Sequence, residues 1–377
     1  MSEVSAPLKG LKVIELARIL AGPWAGQTLA DLGAEVVKVE GPKGDDTRTW
    51  GPPFIEQDDD TSAAYYYACN RGKTSVFADF KTEAGRQTVL DLVDSADIVI
   101  ENFKVGTLAK FGLDYESLSK RNPRLIYCSI TGFGQTGPYA QRAGYDFMIQ
   151  GMSGLMSITG EEDGGPQKTG VAISDLVTGL YSGMGILAAV EQRHRTGRGQ
   201  HIDMALFDCS VALLANQTMN YLASGNSPTR LGNAHPNIAP YQTFQTKDGH
   251  INIAVGNDDQ FARCCTVLGL QELPGDERFA TNAARVANRE PLIDHLTQAT
   301  RSRLSADLLS AFEDATVPAG PINTVGEALE DEQIAARGLR ITPEGIPGVR
   351  GPWVFSDAHL ETSKTAPKRP KPNDQKS

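Results

Sequence analysis

Residues 11–40 read LKVIELARILAGPWAGQTLADLGAEVVKVE, and their pattern determines the class of fold. The short apolar run at residues 11–16 predicts a β-strand, and the apolar spacing of residues 23–32 predicts a helix that ends at Gly33. A second strand is predicted at residues 35–39. A strand, a helix and a strand in this order predict parallel strands covered by a helix.

The same alternation continues along the chain. Strands are predicted at residues 75–77, 97–100 and 124–130, with a helix at residues 83–94. We therefore expect an open α/β domain whose parallel sheet binds ligands at the carboxyl ends of its strands.

Further patterns divide the chain into domains. Helices are predicted at residues 175–195 and 206–222, a Gly-, Asn- and Pro-rich linker at 224–240, and a hairpin around Asp248-Gly249. Helical patterns near residues 259–268, 291–301 and 306–315 complete a smaller α+β domain. The predicted domains are a large domain at 1–223, the linker, a small domain at 241–316, a return to the large domain at 317–361, and a disordered tail at 362–377.

Composition limits the function. The chain has 377 residues and a formal net charge of -10, which argues against nucleic acid as a partner. We expect no signal peptide, because residues 1–10 lack an apolar core, and no membrane span. Five cysteines without a C-x-x-C pair predict reduced thiols and a cytoplasmic location, and the scattered histidines predict no metal site.

Basic residues follow several predicted strands. They are Arg71, Lys73, Lys81, Lys104, Lys110 and Arg142. Their placement is compatible with a solvated surface or with a rim that binds phosphates. The turn at residues 17–23 lacks the G-x-G-x-x-G of dinucleotide sites, but anions often bind at such a turn before a helix.

Asp175 precedes a long apolar helix. It is open to two interpretations: an ordinary helix N-cap, or a carboxylate that the helix N-terminus keeps ionised and that attacks a thioester. Position alone leaves both open.

Many ordered segments carry a resemblance to a known family. They are residues 11–16 and 32–40, Asn70-Arg71-Gly72-Lys73, Glu101-Asn102-Phe103, and residues 129–134, 170–175 and 195–200. Over roughly residues 8–355 the chain resembles the family III CoA-transferases, which include formyl-CoA transferase and carnitine CoA-transferase.

The resemblance implies a fold, a site and a mechanism. It implies a Rossmann-like large domain plus a smaller domain, in a ring-shaped chain that interlocks with a second copy as a homodimer. Coenzyme A is the implied cosubstrate, no metal is needed, and Asp175 is the nucleophile that forms a covalent aspartyl-CoA intermediate. The implied CoA site comprises Ile19, Leu20, Ala21, Ala78, Asp79, Lys81, Asn102, Phe103, Lys104, Lys110, Arg142 and Tyr145.

The substrates implied are an acyl-CoA and a free carboxylic acid. Residues 44–53 and 232–235 resemble most closely the succinate–hydroxymethylglutarate type, which indicates a dicarboxylate such as succinate or glutarate. Arg48 or His235 is then expected to meet its distal carboxylate. Leu20 and Gly41 depart from the Gln and Arg of formyl-CoA transferase, which speaks against formyl-CoA and oxalate.

Two other functions are compatible with the pattern. Acyl-CoA racemases, including 2-methylacyl-CoA racemase, share this fold, but their pattern has a His base where this chain has Tyr145, a poor base near neutral pH. A protein that binds CoA without catalysis is the third candidate.

Overall fold

The computed structural model describes residues 5–372. The chain divides into two compact units. The first comprises the described parts of Met1–Leu155, Lys168–Asn226 and Glu332–Ser377, and the second comprises Met156–Gln167 and Ser227–Asp331. The second unit thus takes in residues 156–167, which the sequence analysis assigned to the large domain, and it extends past the expected boundary at residue 316 to Asp331.

Strands and helices alternate through the first unit. Its strands up to residue 226 are β1 (Lys12–Glu15), β2 (Glu35–Glu40), β3 (Phe54–Gln57), β4 (Asp60–Ala63), β5 (Thr74–Phe77), β6 (Ile98–Glu101), β7 (Ile126–Thr131) and β8 (His201–Ala205). Its helices are α1 (Ala21–Asp31), α2 (Ala64–Asn70), α3 (Glu83–Asp94), α4 (Tyr115–Arg121), α5 (Asp146–Met152), α6 (Ile173–Thr196), α7 (Leu206–Leu213) and α8 (Ala215–Ser224).

Six of these strands form one parallel sheet, in the order β5-β2-β1-β6-β7-β8. The order reverses between β1 and β6, which is the arrangement of a doubly wound sheet and places a crevice at the carboxyl ends of those two strands. The prediction of an α/β fold with a parallel sheet is confirmed.

Helices cover both faces of the sheet. Alternate strand residues point to opposite faces, so Val13, Ile98 and Ile126 pack with α1 and α6, whereas Ile14 and Val99 pack with α3. Both faces are therefore buried, which explains the continuous apolar runs of the strands.

Helix α6 is long and apolar enough to cross a membrane by length and composition alone. No apolar run of this length was expected from the sequence, so that part of the expectation is corrected, whereas the expectation of no membrane span stays a prediction. The helix packs on α1, β7 and β8, and Thr178, Ile186 and Ala189 are buried there. These contacts are those of a helix in the core of an α/β unit.

The second unit holds an antiparallel sheet and the five helices α9 to α13. It comprises β9 (Tyr241–Gln245), β10 (His250–Ala254), α9 (Asp258–Leu268), α10 (Asn282–Ala287), α11 (Arg289–Arg301), α12 (Ser305–Asp314), β11 (Ala319–Pro321) and α13 (Val325–Glu330). Strands β9 and β10 form the predicted hairpin. The hydrophobic core of the second unit includes the buried side chains of Phe244, Phe261 and Phe312.

The chain then returns to the first unit through α14 (Glu332–Ala336), β12 (Arg340–Ile341) and β13 (Gly348–Val349). Residues 362–372 were expected to be disordered, but they pack on this unit. Ala366 is buried against Tyr66 and Tyr67, and Lys368 and Lys371 form ion pairs with Asp58 and Asp59. Apolar burial and opposite charge hold a segment whose composition alone indicates disorder; residues 373–377 lie outside the described residues.

Candidate active site

A cavity of about 220 Å³ opens at the carboxyl ends of β1, β6 and β7. It lies at the point where the strand order reverses, which is where open α/β sheets bind ligands. Three loops and the starts of α1, α6 and α7 form most of its walls. The lining residues include Arg18, Ile19, Leu20, Ala21, Asn102, Phe103, Lys104, Thr131, Gly132, Arg142, Gly144, Tyr145, Asp146 and Asp175.

The turn after β1 is strained at Ile19. Its φ of 73° lies in the left-handed region, which is costly for a β-branched residue. Polar side chains hold the turn in place. Asn102 accepts from the Arg18 N–H at 2.9 Å and donates to the Arg18 carbonyl at 2.6 Å, while Asp45 accepts from the Ile19 N–H at 3.3 Å.

A buried charge network supports this turn from below. Lys38 Nζ contacts Asp45 at 2.8 Å and Glu15 at 3.0 Å, and it donates to the carbonyl of Ala17 at 2.9 Å. Lys73 Nζ contacts the same Glu15 carboxylate at 2.8 Å. Because these charges are buried and paired, the turn has little freedom to relax.

Asp175 lies in the first turn of α6 and lines the cavity. It is not the N-cap, which is Ala172. The N–H groups at this helix end are taken by Asp146, whose Oδ1 accepts from Ser174 at 2.8 Å and from Asp175 at 3.4 Å. The interpretation of Asp175 as an N-cap is therefore wrong, and Asp146 caps the helix instead.

The electrostatics at Asp175 also differ from expectation. Burial, and then the negative charge of Asp146, raise the pKa of Asp175 to about 7. In one of the two interpretations that the sequence left open, the helix N-terminus keeps this carboxylate ionised. Asp146 accepts from two of the N–H groups at this helix end, and its negative charge adds to the effect of burial on the pKa of Asp175.

Two of the predicted CoA-site cations, Lys104 and Arg142, line the same cavity. The Arg142 guanidinium lies 4.4 Å from the ring centroid of Tyr139 and 5.3 Å from that of Phe133. Stacking on two rings holds this side chain at the cavity wall.

The structure brings most of the predicted CoA residues together, but not all. Those that line the cavity are Ile19, Leu20, Ala21, Asn102, Phe103, Lys104, Arg142 and Tyr145, with Asp175. Those outside its lining, as the described residues form it, are Ala78, Asp79, Lys81 and Lys110. Ala78 is buried, whereas Lys81 and Lys110 are exposed. Arg71 and Lys73 are buried in ion pairs with Asp31 and Glu15, so neither belongs to a phosphate rim.

Arg48 is not available to a substrate. It is 5% exposed, and Glu40 accepts from its Nε at 2.8 Å and from Nη2 at 2.7 Å. Asp60 and Ser62 accept from Nη1, and the Tyr66 hydroxyl accepts from Nη2. The prediction that Arg48 meets a distal carboxylate is wrong, because this guanidinium is committed to a buried network.

His235 lies in the second unit. Its Nδ1 accepts from the Asn237 N–H at 3.1 Å, and its ring lies 5.2 Å from that of Tyr241. Burial and the charge of Arg289 lower its pKa. A role for His235 in substrate binding stays a prediction.

Three features of the cavity escaped the sequence analysis. Arg18 and Asp146 were not singled out, although each stands beside a predicted site residue. Gly132 and Gly144 bring two loop backbones together so closely that a Cβ on Gly132 would lie 2.5 Å from the Gly144 Cα. Arg18 had a signal in the sequence, since it lies in the first strand-to-helix turn; the contact between the two glycines had none.

Known proteins resemble this chain over most of its length. The family model for CoA-transferase family III matches residues 8–371. The succinate–glutarate CoA-transferase of Agrobacterium fabrum is 58% identical over 370 residues, which cover 96% of this chain and 92% of that protein. The human succinyl-CoA:glutarate CoA-transferase is 43% identical over 367 residues, covering 96% and 83%.

A solved structure shows the same fold. The crystal structure of a CaiB/BaiF family protein from Brucella suis superimposes with a TM-score of 0.88 at 63% sequence identity, and it covers 97% of this chain and 96% of that one. The predicted family is confirmed. This chain belongs to CoA-transferase family III and is a CoA-transferase that uses CoA thioesters as substrates.

Proposed function

We propose that this enzyme moves CoA between dicarboxylic acids through a covalent intermediate on Asp175. The observation that carries the proposal is the position of Asp175: it is a partly buried carboxyl in the wall of the cavity where the sheet order reverses. A carboxylate there can attack a thioester whose CoA part lies along the same cavity.

The first half of the reaction loads the enzyme. An Asp175 oxygen attacks the thioester carbonyl carbon, the C–S bond breaks, and CoA leaves as a thiolate while a mixed anhydride remains. The thiolate then attacks the Asp175 carbonyl carbon. The anhydride C–O bond breaks, the donor acid leaves as its carboxylate, and Asp175 carries CoA as a thioester.

The second half transfers CoA to the acceptor. An acceptor carboxylate attacks the Asp175 thioester, which releases the thiolate and forms a new anhydride. The thiolate attacks the acceptor carbonyl carbon, and Asp175 is released as a carboxylate. One thioester is consumed and one is formed, so the cycle needs no ATP.

A dicarboxylate substrate is supported by the relatives. Both relatives described above carry glutarate and succinate or succinyl-CoA in their names, at 58% and 43% identity. Leu20, which lines the cavity, is one of the two residues that depart from the pattern of formyl-CoA transferase. Succinyl-CoA as donor and glutarate as acceptor are therefore the first pair to assay.

Trapping tests the covalent route. The protein is incubated with succinyl-CoA, treated with hydroxylamine or borohydride, and weighed intact and as peptides. We expect a modification at Asp175 that is absent in Asp175→Asn and present in Asp91→Asn, a control on α3 at the opposite face of the sheet. Transfer to glutarate without any modification at Asp175 would sink the covalent route.

Racemisation is the second candidate. It needs a base that loses its proton near neutral pH, and Tyr145 at the cavity wall is a poor one. Exchange of the α-hydrogen of a chiral 2-methylacyl-CoA with deuterated solvent would favour the racemase. Binding of CoA with neither exchange nor transfer would favour a protein without catalysis.

We also propose an interlocked homodimer of ring-shaped chains and a cytoplasmic location, as the sequence analysis predicted. The dimer is supported by apolar side chains that the single chain leaves exposed, among them Met184 on α6 (65%) and Leu222 on α8 (66%). Light scattering coupled to gel filtration measures the state of assembly, and a monomer at micromolar concentration would refute the dimer.

A further inference from the structure

Arg18 presents a guanidinium with spare donors to the cavity that contains Asp175. Its Nη1 donates to Asp46 at 3.0 Å, and the two side chains are 45% and 44% exposed. Among residues 5–372, Asp46 is the one acceptor that this guanidinium contacts, which leaves Nε and Nη2 without a partner. Because an exposed ion pair contributes little, a second carboxylate can share Arg18 or displace Asp46.

The backbone of Arg18 is held in place before any ligand arrives. Asn102 holds both its N–H and its carbonyl, and the next residue is the strained Ile19. The guanidinium carbon also lies 5.3 Å from the centroid of the Phe103 ring. Strain of this kind is kept where a function depends on it, and a side chain on a backbone that is already held in place binds with a smaller loss of entropy.

The cavity also offers apolar walls for a short carbon chain. Leu20, Ile130 and Leu206 line it together with Asp175. Lys104 and Arg142 are cations of the predicted CoA site, whereas Arg18 is not among the residues that the resemblance assigns to CoA.

A dicarboxylate reacts through one carboxylate and keeps the charge on the other. Moving that second charge out of water without a cation is costly. We propose that Arg18 binds the distal carboxylate of the acid and selects dicarboxylates over monocarboxylates of equal length. This inference rests on the proposed function. It assigns the distal carboxylate to Arg18 in place of Arg48.

The test compares two acceptors that differ in one charge. With succinyl-CoA as the common donor, kcat/KM is measured for glutarate and for pentanoate, and their ratio is the readout. Arg18→Gln is expected to lower the ratio about 10- to 100-fold, mainly through KM for glutarate, because a charge-assisted hydrogen bond is lost. Arg18→Lys keeps the positive charge but not the two-pronged donor geometry of the guanidinium, and we expect it to lower the ratio less than Arg18→Gln does.

Arg142→Gln is the matched control, because it removes a cation of the same cavity that belongs to the predicted CoA site. We expect it to raise KM for succinyl-CoA and to leave the glutarate-to-pentanoate ratio unchanged. A ratio for Arg18→Gln within threefold of wild type would overturn the inference. So would an equal loss with both acceptors, since Arg18 would then only support the turn.

The two proposals fail separately. Trapping at Asp175 is run on the same wild-type samples, and a missing adduct would refute the covalent route while the acceptor ratio still decides the role of Arg18. Thermal melts establish that each variant is folded. If Arg18→Gln does not fold, Arg18→Met takes its place with the same expected fall in the ratio, and an unchanged ratio there would overturn the inference.

Discussion

The carboxyl of Asp175 is predicted to set the pH dependence of the reaction. Burial and the charge of Asp146 raise its pKa to about 7, and the nucleophile must be ionised. The value of kcat/KM for succinyl-CoA should therefore fall about tenfold per pH unit below pH 7 and level off above it. Measurements at constant ionic strength from pH 5 to pH 9 test this.

The variant Asp146→Asn separates the effect of burial on the pKa of Asp175 from the effect of the Asp146 charge. The amide keeps an oxygen that can accept from the Ser174 N–H, but it removes the negative charge. The pKa of Asp175 should then fall, so the acid limb of the profile should move to lower pH. Asp91→Asn on α3 should leave the limb in place. An acid limb that is identical in Asp146→Asn and wild type would show that a different group titrates.

Arg48 is predicted to matter for stability and not for substrate choice. Arg48→Met leaves Glu40 buried without its guanidinium partner, at a cost of roughly 3–5 kcal/mol in the free energy of unfolding. Urea unfolding measures this cost. The double variant Arg48→Met/Glu40→Leu should recover part of it, because the buried charge of Glu40 is gone, while Asp60 still lacks its contact with Arg48. A stable Arg48→Met enzyme with an altered KM for glutarate alone would restore Arg48 as a substrate residue.

Side-chain roles were only partly predictable from sequence. The resemblance assigned Asp175 and the residues around Asn102, and the structure places them in one cavity. It could not show that Asp146 caps α6, because that contact joins residues on two different helices. Arg48 was assigned wrongly for the same reason. Its partners Glu40, Asp60 and Tyr66 come from separate elements, and only the folded chain brings them together.

At the scale of elements, the packing of α1 on α6 depends on a glycine. A Cβ on Gly179 would lie 2.7 Å from the carbonyl oxygen of Ala21 and 3.0 Å from the Trp24 side chain. Gly179→Ala should therefore push α1 away and lower the free energy of unfolding by about 1–3 kcal/mol. Activity should fall with it, because Ala21 lines the cavity.

Gly183 provides the matched control one turn further along α6. A Cβ there would meet only Thr28 Cγ2, at 3.8 Å, which is an ordinary contact. Gly183→Ala should raise stability by about 0.5–1 kcal/mol, because alanine is the better helix former. Urea midpoints that shift equally in both variants would contradict the close approach of the two helices.

Regular elements with strong apolar periodicity were predictable, and irregular ones were not. Helix α3 was predicted at the residues where it occurs, and β9 and β10 were found from their Asp-Gly turn. Strand β8 was missed because its short sequence, HIDMA, mixes polar and apolar residues at the sheet edge. The single helix expected at residues 206–222 is two helices, since Ala215 has a φ of 44° that ends α7.

At the scale of the whole chain, sequence order did not reveal which distant segments share a unit. Residues 156–167 join the second unit, although the chain on both sides of them belongs to the first. The C-terminal residues show the same limit. Their lysines and prolines indicate disorder, but the acidic Asp58 and Asp59 that pair with them are encoded some three hundred positions earlier.

The C-terminal segment, residues 362–372, is predicted to stabilise the active-site turn from a distance. The Pro367 carbonyl accepts from Arg48 Nη2 at 3.1 Å, and the Thr365 carbonyl accepts from the Gly72 N–H at 3.1 Å. Arg48 belongs to the short helical turn Asp46–Thr49, which follows Asp45, the residue that holds Ile19. A chain that ends at Glu361 should lose about 1 kcal/mol for each of these two hydrogen bonds, and transfer activity should fall as the turn loosens.

The double variant Lys368→Gln/Lys371→Gln is the control for this truncation. It removes only exposed charges and should melt close to wild type. Melting temperatures and transfer rates of the three proteins decide the matter: a truncated chain as stable and active as wild type would mean that the segment rests on the surface without supporting the site.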